Sequence, residues 1–186
     1  GSEMCIRDSV SNRYSVAITG TPGVGKSTIC DLFKQESQAI LTVRELAQQH
    51  NCVGDFSEQY QSHDIDIHTL AERWQSNGPA IIDGHLSHFL DVDAIVMLRC
   101  EPAELGKRLA KRDYSESKIR QNVEWELISG TWAELAEFEI TVPILEIDTT
   151  SKTQIEVFEL VKQWLASDLS INNETKRVDW LDVNNN

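Results

Sequence analysis

The chain has 186 residues, of which 17 are Lys or Arg and 30 are Asp or Glu, for a formal net charge of −13 at pH 7. This length suits one domain with a sizeable core. The acidic balance argues against electrostatically driven binding to a nucleic-acid backbone, which needs a basic face. The same balance admits a basic protein partner, or serves solubility alone. No apolar run approaches membrane-spanning length and no signal peptide is visible. Cys5, Cys30, Cys52 and Cys100 are scattered and form no C-x-x-C pair. Neither a zinc site nor a disulfide framework is indicated, in keeping with a reduced, cytoplasmic-type compartment.

Residues 1–12 show no periodicity and read as a disordered leader outside the fold. Residues 13–19 form the first expected strand, followed by Gly20-Thr21-Pro22-Gly23-Val24-Gly25-Lys26-Ser27-Thr28. This G-x-x-x-x-G-K-S-T stretch leads into Ile29, Leu32 and Phe33 at helical spacing, in a helix over about 26–37. It therefore lies between a strand and a helix, the context that a phosphate-binding P-loop requires. Its glycines let backbone N–H groups approach phosphate oxygens, and the helix start adds donors and partial positive charge. Lys26 reaches the β- and γ-phosphates, and the Ser27 hydroxyl sits on Mg²⁺.

Ala39-Ile40-Leu41 reads as a short strand, and 43–50 as a helix with Val43, Leu46 and Ala47 on one side. Residues 51–66 are polar and aromatic without clear periodicity and are expected to be irregular. A segment of that length within a domain is more often functional than idle. Helix resumes near 67–74 and stops at Asn77-Gly78-Pro79. Ala80-Ile81-Ile82-Asp83 is an uninterrupted apolar run ending in a carboxylate, the pattern of a strand buried on both faces. In α/β sheets ligands bind beyond the carboxyl ends of strands, so Asp83 is the natural Mg²⁺-side acid. Without the P-loop it would read as a turn or cap residue. His85 and His88 form H-x-x-H, either a metal pair or, for His85, a group that orients water or substrate beside the reacting phosphates.

Residues 94–98 repeat the buried-strand pattern, and Glu101-Pro102 opens a helix. Lys107, Arg108, Lys111 and Arg112 end it, either as favourable charge at a helix C-terminus or as a phosphate clamp. One long helix is expected over about 116–137, with Gly130 as an interruption, then a strand at 143–148 and a helix at 152–166. Residues 168–186 read as a disordered polar tail, with Trp180 and Leu181 as a candidate docking pair. Strands alternating with helices predict a parallel sheet with helices on both faces.

The pieces GTPGVGKST, TVRELA, IIDGHLSHFL and MLRCEPAELGKRLAKRDYSESKIRQNVEWE lie within about residues 14–165. Together they resemble the adenylate kinase isoenzyme 6 family, the nuclear or archaeal adenylate-kinase-like NTPases of ribosome assembly. The resemblance implies an α/β P-loop NTPase fold of the adenylate-kinase type, with a five-stranded parallel sheet flanked by helices. The kinase domain would span 13–167, with a mobile nucleoside-monophosphate-binding segment at about 42–65 and a short lid at about 111–121. It implies ATP held by Gly23, Gly25, Lys26, Ser27 and Thr28, with Arg112 reaching from the lid and Mg²⁺ supported by Ser27 and Asp83. The family's D-x-H motif maps onto Asp83 and His85, and its His is tied to ATPase action. Catalytic roles thus fall to Lys26, Asp83, His85 and Arg112.

The implied reaction is ATP + AMP = 2 ADP, with slow ATP hydrolysis beside it. The implied cellular role is small-subunit rRNA maturation through a basic platform ribosomal protein. Such a protein would work in the cytoplasm of a prokaryote or archaeon, or in the nucleus and cytoplasm of a eukaryote. Two positions depart from the family pattern. Asp113 stands where members often have glycine, and Gln48 where some have arginine, which leaves Arg44 as the candidate to hold the AMP phosphate. Two alternatives accompany this reading. One is a nucleotide-switched assembly ATPase with little adenylate kinase activity. The other is a small-molecule kinase such as one acting on dephospho-coenzyme A, against which the DGH turn and short lid argue.

Overall fold

The computed structural model describes residues 13–58, 62–170 and 177–182; the expected leader at 1–12 lies outside them. The strands are β1 (Ser15–Thr19), β2 (Ile40–Thr42), β3 (Val53–Ser57), β4 (Ser62–Ile65), β5 (Ala80–Asp83), β6 (Ala94–Arg99) and β7 (Ile144–Asp148). The helices are α1 (Lys26–Gln35), α2 (Val43–Gln49), α3 (Ile67–Arg73), α4 (Pro102–Ala110), α5 (Glu116–Leu127), α6 (Gly130–Glu137) and α7 (Gln154–Ala166). A 3₁₀ turn covers Ser87–Phe89.

Five strands form one parallel sheet in the order β2-β5-β1-β6-β7. Successive side chains of a strand point to opposite faces, so each strand feeds two cores. Val16, Ile18, Ile81, Val96 and Leu98 pack on one face with Phe33 of α1, Leu105 and Leu109 of α4, and Trp164 of α7. Ala17, Ile82, Ile95 and Met97 pack on the other with Leu46 of α2, Leu70 of α3 and Leu135 of α6. This double burial explains the apolar runs at 80–82 and 94–98. Because all five strands are parallel, their carboxyl ends gather at one edge, where the P-loop and Asp83 emerge.

Three regions differ from the sequence expectations. Residues 53–57 and 62–65 are not irregular: β3 and β4 pair antiparallel, with Phe56 opposite His63 and a register shift between Val53 and Phe56. Both faces of this hairpin are largely exposed, so it carries no alternating apolar pattern to betray it. The single helix expected over 116–137 is two. Ser129 adopts a left-handed conformation (φ 55°), and a Cβ on Gly130 would lie 2.1 Å from Trp125 Cε2, so the chain turns where the glycine lets the indole approach. The tail is not wholly outside the fold. Trp180 is buried, while Leu181 remains exposed, so the docking is by one residue of the pair. Residues 171–176 and 183–186 lie outside the described residues.

Candidate active site

The P-loop joins β1 to α1 through Gly20, Gly23 and Gly25, all at positive φ. Lys26 Nζ donates to the carbonyls of Gly20 (2.6 Å) and Thr21 (3.0 Å), which holds the ammonium inside the curve of the loop. Burial there, together with the Arg112 cation, lowers its pKa to about 8 against the opposing pull of Asp83. An ammonium so placed is short of anionic partners, which a phosphate would supply.

Ser27, in the first turn of α1, donates from Oγ to Asp83 Oδ2 at 3.1 Å. Asp83 ends β5, and burial raises its pKa while Lys26 and the Ser27 hydrogen bond oppose the rise. A hydroxyl and a carboxylate meeting beside Lys26 are hard oxygen donors, a set that suits Mg²⁺ shared with substrate phosphates and water. Among the described residues no group of three or more His, Cys, Asp or Glu could cage a metal. The H-x-x-H pair does not form one, because His88 is occupied on both sides. Its Nε2 lies 2.6 Å from Glu134 Oε2 and its Nδ1 lies 2.7 Å from Thr19 Oγ1.

His85 remains solvent-exposed as a residue. Desolvation of its ring, then Lys26, His88 and Lys118, bring its pKa down to about 4. It is therefore neutral at pH 7. It borders a cavity of about 280 Å³ with Pro22, Gln121, Asn122 and Trp125. The turn is held by Ser87, whose Oγ lies 2.7 Å from Gly84 O and 3.1 Å from Ile18 O. A Cβ on Gly84 would meet Val43 Cγ2 at 2.6 Å, so α2 sits directly against this turn. Thr42, which caps α2, pairs with Asp83 across the sheet. Arg44, the second residue of α2, thus lies at the same sheet edge as Asp83 and is exposed.

On the other side of the P-loop an open cleft of about 700 Å³ is lined by Gly23, Gly25, Thr28, Lys111, Arg112 and Lys152, among others. Of the basic cluster at the end of α4, Arg108, Lys111 and Arg112 all line this cleft. Arg108 is also tied down, donating to Thr149 Oγ1 (3.2 Å) and the Thr149 carbonyl (3.1 Å). Asp113 takes a left-handed backbone conformation at φ 57°, the kind that glycine adopts without strain.

Thr19, Thr21, His88, Glu126 and Glu134 belong to the site's support and were not singled out as such from the sequence. Thr21 Oγ1 donates to Glu126 Oε2 at 2.6 Å, across 105 residues of chain. Glu126 itself is buried in a helix of otherwise polar character. Nothing in its local sequence separates it from the surface carboxylates Glu116 and Glu124.

Residues 16–129 match the protein family described as an AAA domain. A protein of Archaeoglobus fulgidus named "Putative adenylate kinase" is 38% identical over 168 residues, covering 89% of this chain and 91% of the relative. Its namesake from Pyrococcus abyssi is 34% identical, covering 90% and 92%. Among solved structures, a gluconokinase from Sinorhizobium meliloti 1021 superposes with a TM-score of 0.52 at 16% identity, covering 83% of this chain and 94% of that one. The YorR protein of Bacillus subtilis, in complex with phosphorylated GDP, superposes with a TM-score of 0.52 at 15% identity, covering 83% and 96%. These two likenesses speak to the fold, an α/β P-loop kinase architecture. With relatives of this identity and coverage, the chain belongs to the adenylate-kinase-like family of P-loop nucleotide kinases.

Proposed function

We propose that the protein is an ATP:AMP phosphotransferase, catalysing ATP + AMP = 2 ADP. The observation that carries this reading is the convergence at one sheet edge of Lys26, Ser27 and Asp83 between two openings. One is the cleft bordered by Arg112, and the other is the side where α2 presents Arg44. ATP enters the first, with its phosphates on the P-loop N–H groups of Gly23, Gly25, Lys26, Ser27 and Thr28. AMP enters the second, with its phosphate on Arg44.

Ser27 and Asp83 would hold Mg²⁺, which would supply charge neutralisation to the substrate phosphates. The chain's own part is positional. Lys26 leaves its two carbonyl acceptors for the phosphates, and Arg112 closes from the short lid at about 111–121 to share the developing charge. The segment at about 42–65 closes over AMP and excludes water, the competing acceptor. His85 is uncharged at neutral pH, which suits it to orient a water molecule when AMP is absent, giving slow ATP hydrolysis.

A second reading rests on the net charge of −13 and the isoenzyme 6 resemblance. In it the protein is a nucleotide-switched assembly ATPase in small-subunit ribosome biogenesis and rRNA processing, bound to a basic ribosomal protein and with little phosphotransfer to AMP. Either protein would work in the cytoplasm, as the archaeal relatives favour, or also in the nucleus of a eukaryote. No helix among the described residues is long and apolar enough to cross a membrane.

Turnover of ATP·Mg²⁺ with and without AMP, resolving ADP from inorganic phosphate, tests this. Two ADP per ATP consumed, only with AMP and without phosphate release, is the expected result. Phosphate release indifferent to AMP overturns it in favour of the assembly ATPase.

A further inference from the structure

Beneath the P-loop, on the side away from the nucleotide cleft, lies a buried polar cluster that none of the phosphate chemistry uses. Its centre is Arg99, the last residue of β6, with about 2% of its surface exposed. All five of its N–H donors are engaged. Nε meets Glu126 Oε1 (2.8 Å), Nη1 meets Glu146 Oε1 (2.8 Å) and the Val178 carbonyl (3.1 Å), and Nη2 meets the Glu126 carbonyl (3.2 Å) and Ser129 Oγ (3.1 Å).

Glu126 is as fully engaged. Its Oε1 accepts from Arg99 Nε, from Cys100 N (3.1 Å) and from Trp180 Nε1 (3.1 Å), and its Oε2 accepts from Thr21 Oγ1 (2.6 Å). Each carboxylate oxygen offers about two lone-pair sites, so Oε1 is fully taken by its three donors, while Oε2 is committed to the Thr21 hydroxyl.

The segment 177–182 closes the cluster. Val178 N donates to Glu146 Oε2 at 3.0 Å, the Trp180 ring lies 5.8 Å from the Arg99 guanidinium carbon, and the Arg177 guanidinium carbon stacks 4.0 Å over Trp132. The opposite end of the same network is the P-loop. Thr21 receives Lys26 Nζ on its carbonyl and donates its hydroxyl to Glu126.

We propose that residues 177–182 are an intramolecular strap which, by clamping Glu126, fixes Thr21 and pre-organises the P-loop for nucleotide, so that docking of the strap and binding of nucleotide are coupled. The physical basis is the geometry of one carboxylate shared between the two ends. Glu126 can hold Thr21 in place only while its other oxygen is itself held, and Trp180 supplies one of the three donors that hold it. A loop already fixed gives up less entropy on binding phosphate, and so binds more tightly. Coupling between two sites is reciprocal, so bound nucleotide must stabilise the docked strap by the same factor. Glu126 is on this account a positioning residue, acting through Thr21 and never touching substrate.

The inference rests on the nucleotide-binding reading above, and the test separates the two. ADP·Mg²⁺ is titrated into the full-length protein and into Trp180→Phe, Thr21→Val and the double variant, with thermal melts of each. Trp180→Phe keeps an aromatic ring at the site but removes the Nε1–H together with part of the indole's volume, which is why binding is read beside the melts. Thr21→Val keeps the shape and removes only the hydroxyl. Each single variant is expected to weaken ADP binding at least about fivefold, the lower end of ordinary site-to-site coupling. The double variant should be no weaker than the weaker single, because both cut the same path. In the unaltered protein, the Trp180 emission (wild type minus Trp180→Phe) should change on adding ADP·Mg²⁺.

If Trp180→Phe lowers the melting temperature while ADP binds as in the unaltered protein, the cluster is structural only and the strap is overturned. Fully additive single effects overturn it as well. If the unaltered protein binds no ADP, the nucleotide reading falls and takes the strap with it.

Discussion

The strands β1 and β6 that flank the P-loop sit in the most enclosed part of the molecule. Every residue of those two strands is buried, including Arg99. The β3–β4 hairpin is the reverse. Phe56 is 55% exposed and Val53 38%, and the hairpin's one described aromatic contact is Phe56 on His63 within the hairpin itself. Between the two lies α2, apolar on its inner side and pressed onto Gly84 at the active-site turn. The contrast has a direct physical consequence. Local opening free energies are lowest where few apolar groups are buried and backbone hydrogen bonds face water. On the proposed reading the donor-phosphate site is the fixed half of the molecule and the hairpin the half free to move, with α2 as the element that would carry its motion to Asp83.

The hardest blow to the fixed half is Lys26→Ala. Loss of one preorganised charge at a transferring group costs about 2.7–4 kcal/mol of transition-state stabilisation, so kcat/KM should fall roughly 10²- to 10³-fold in a coupled ADP assay. The melting temperature at pH 7 should hold or rise, since the removed ammonium is desolvated in the free protein. Retained turnover would contradict the assignment.

Gly84→Ala strikes the junction between the halves. Its methyl group must displace Val43, and overpacking of this kind costs about 1–3 kcal/mol. The prediction is a lower melting temperature and a KM for AMP raised more than that for ATP. Adding Val43→Ala should recover part of both. Equal changes in the two KM values would show that α2 does not belong to the acceptor side.

The pH profile sharpens the contrast further. Free Lys26 deprotonates near pH 8, so kcat/KM for ATP, which reports the free enzyme, should fall about tenfold per pH unit above that value. Bound phosphates keep the proton on Lys26, so kcat should stay level to higher pH. The stability effect has the opposite sign. The unfolded chain holds this proton up to about 10.5, so it binds more protons than the folded one between about pH 8 and 10.5. The Lys26 contribution to stability therefore rises with pH over that window and is unfavourable below it. A kcat/KM profile flat to pH 10 would exclude a free-enzyme role for the Lys26 proton.

The smallest expected effect is at the lid. Asp113→Gly relieves a left-handed backbone at φ 57°, a gain below about 1 kcal/mol because Asp tolerates this region and glycine loosens the unfolded chain. It also removes a negative charge next to Arg112, so the KM for ATP should fall slightly. A rise in that KM would mean that Asp113 takes part in binding.

The P-loop, the β5 carboxylate and the parallel sheet were legible because each leaves a contiguous trace: a spaced glycine motif, and apolar runs that double burial demands. The hairpin was not, since exposed strands need no alternation and Gly54, Asp55 and Ser57 resemble loop residues. Glu126 was not legible either. Its burial depends on Arg99, Trp180 and Thr21, which lie 27, 54 and 105 residues away. The same holds for His88, whose partners Thr19 and Glu134 are 69 and 46 residues distant. Contacts local in sequence could be read, while polar pairs made by the fold could not. The polar tail was read in part: Trp180 was picked out as a docking residue, but its partner is a carboxylate on α5, 54 residues away.

The most direct test of a fixed donor half and a closing acceptor arm is amide hydrogen exchange with and without a bisubstrate analogue in which two adenosines are joined by a phosphate chain. The account predicts that the analogue slows exchange roughly tenfold or more in α2 and at 53–57 and 62–65, while β1 and β6 exchange slowly in both states. An analogue that binds the P-loop yet leaves the hairpin and α2 exchanging as before would contradict it.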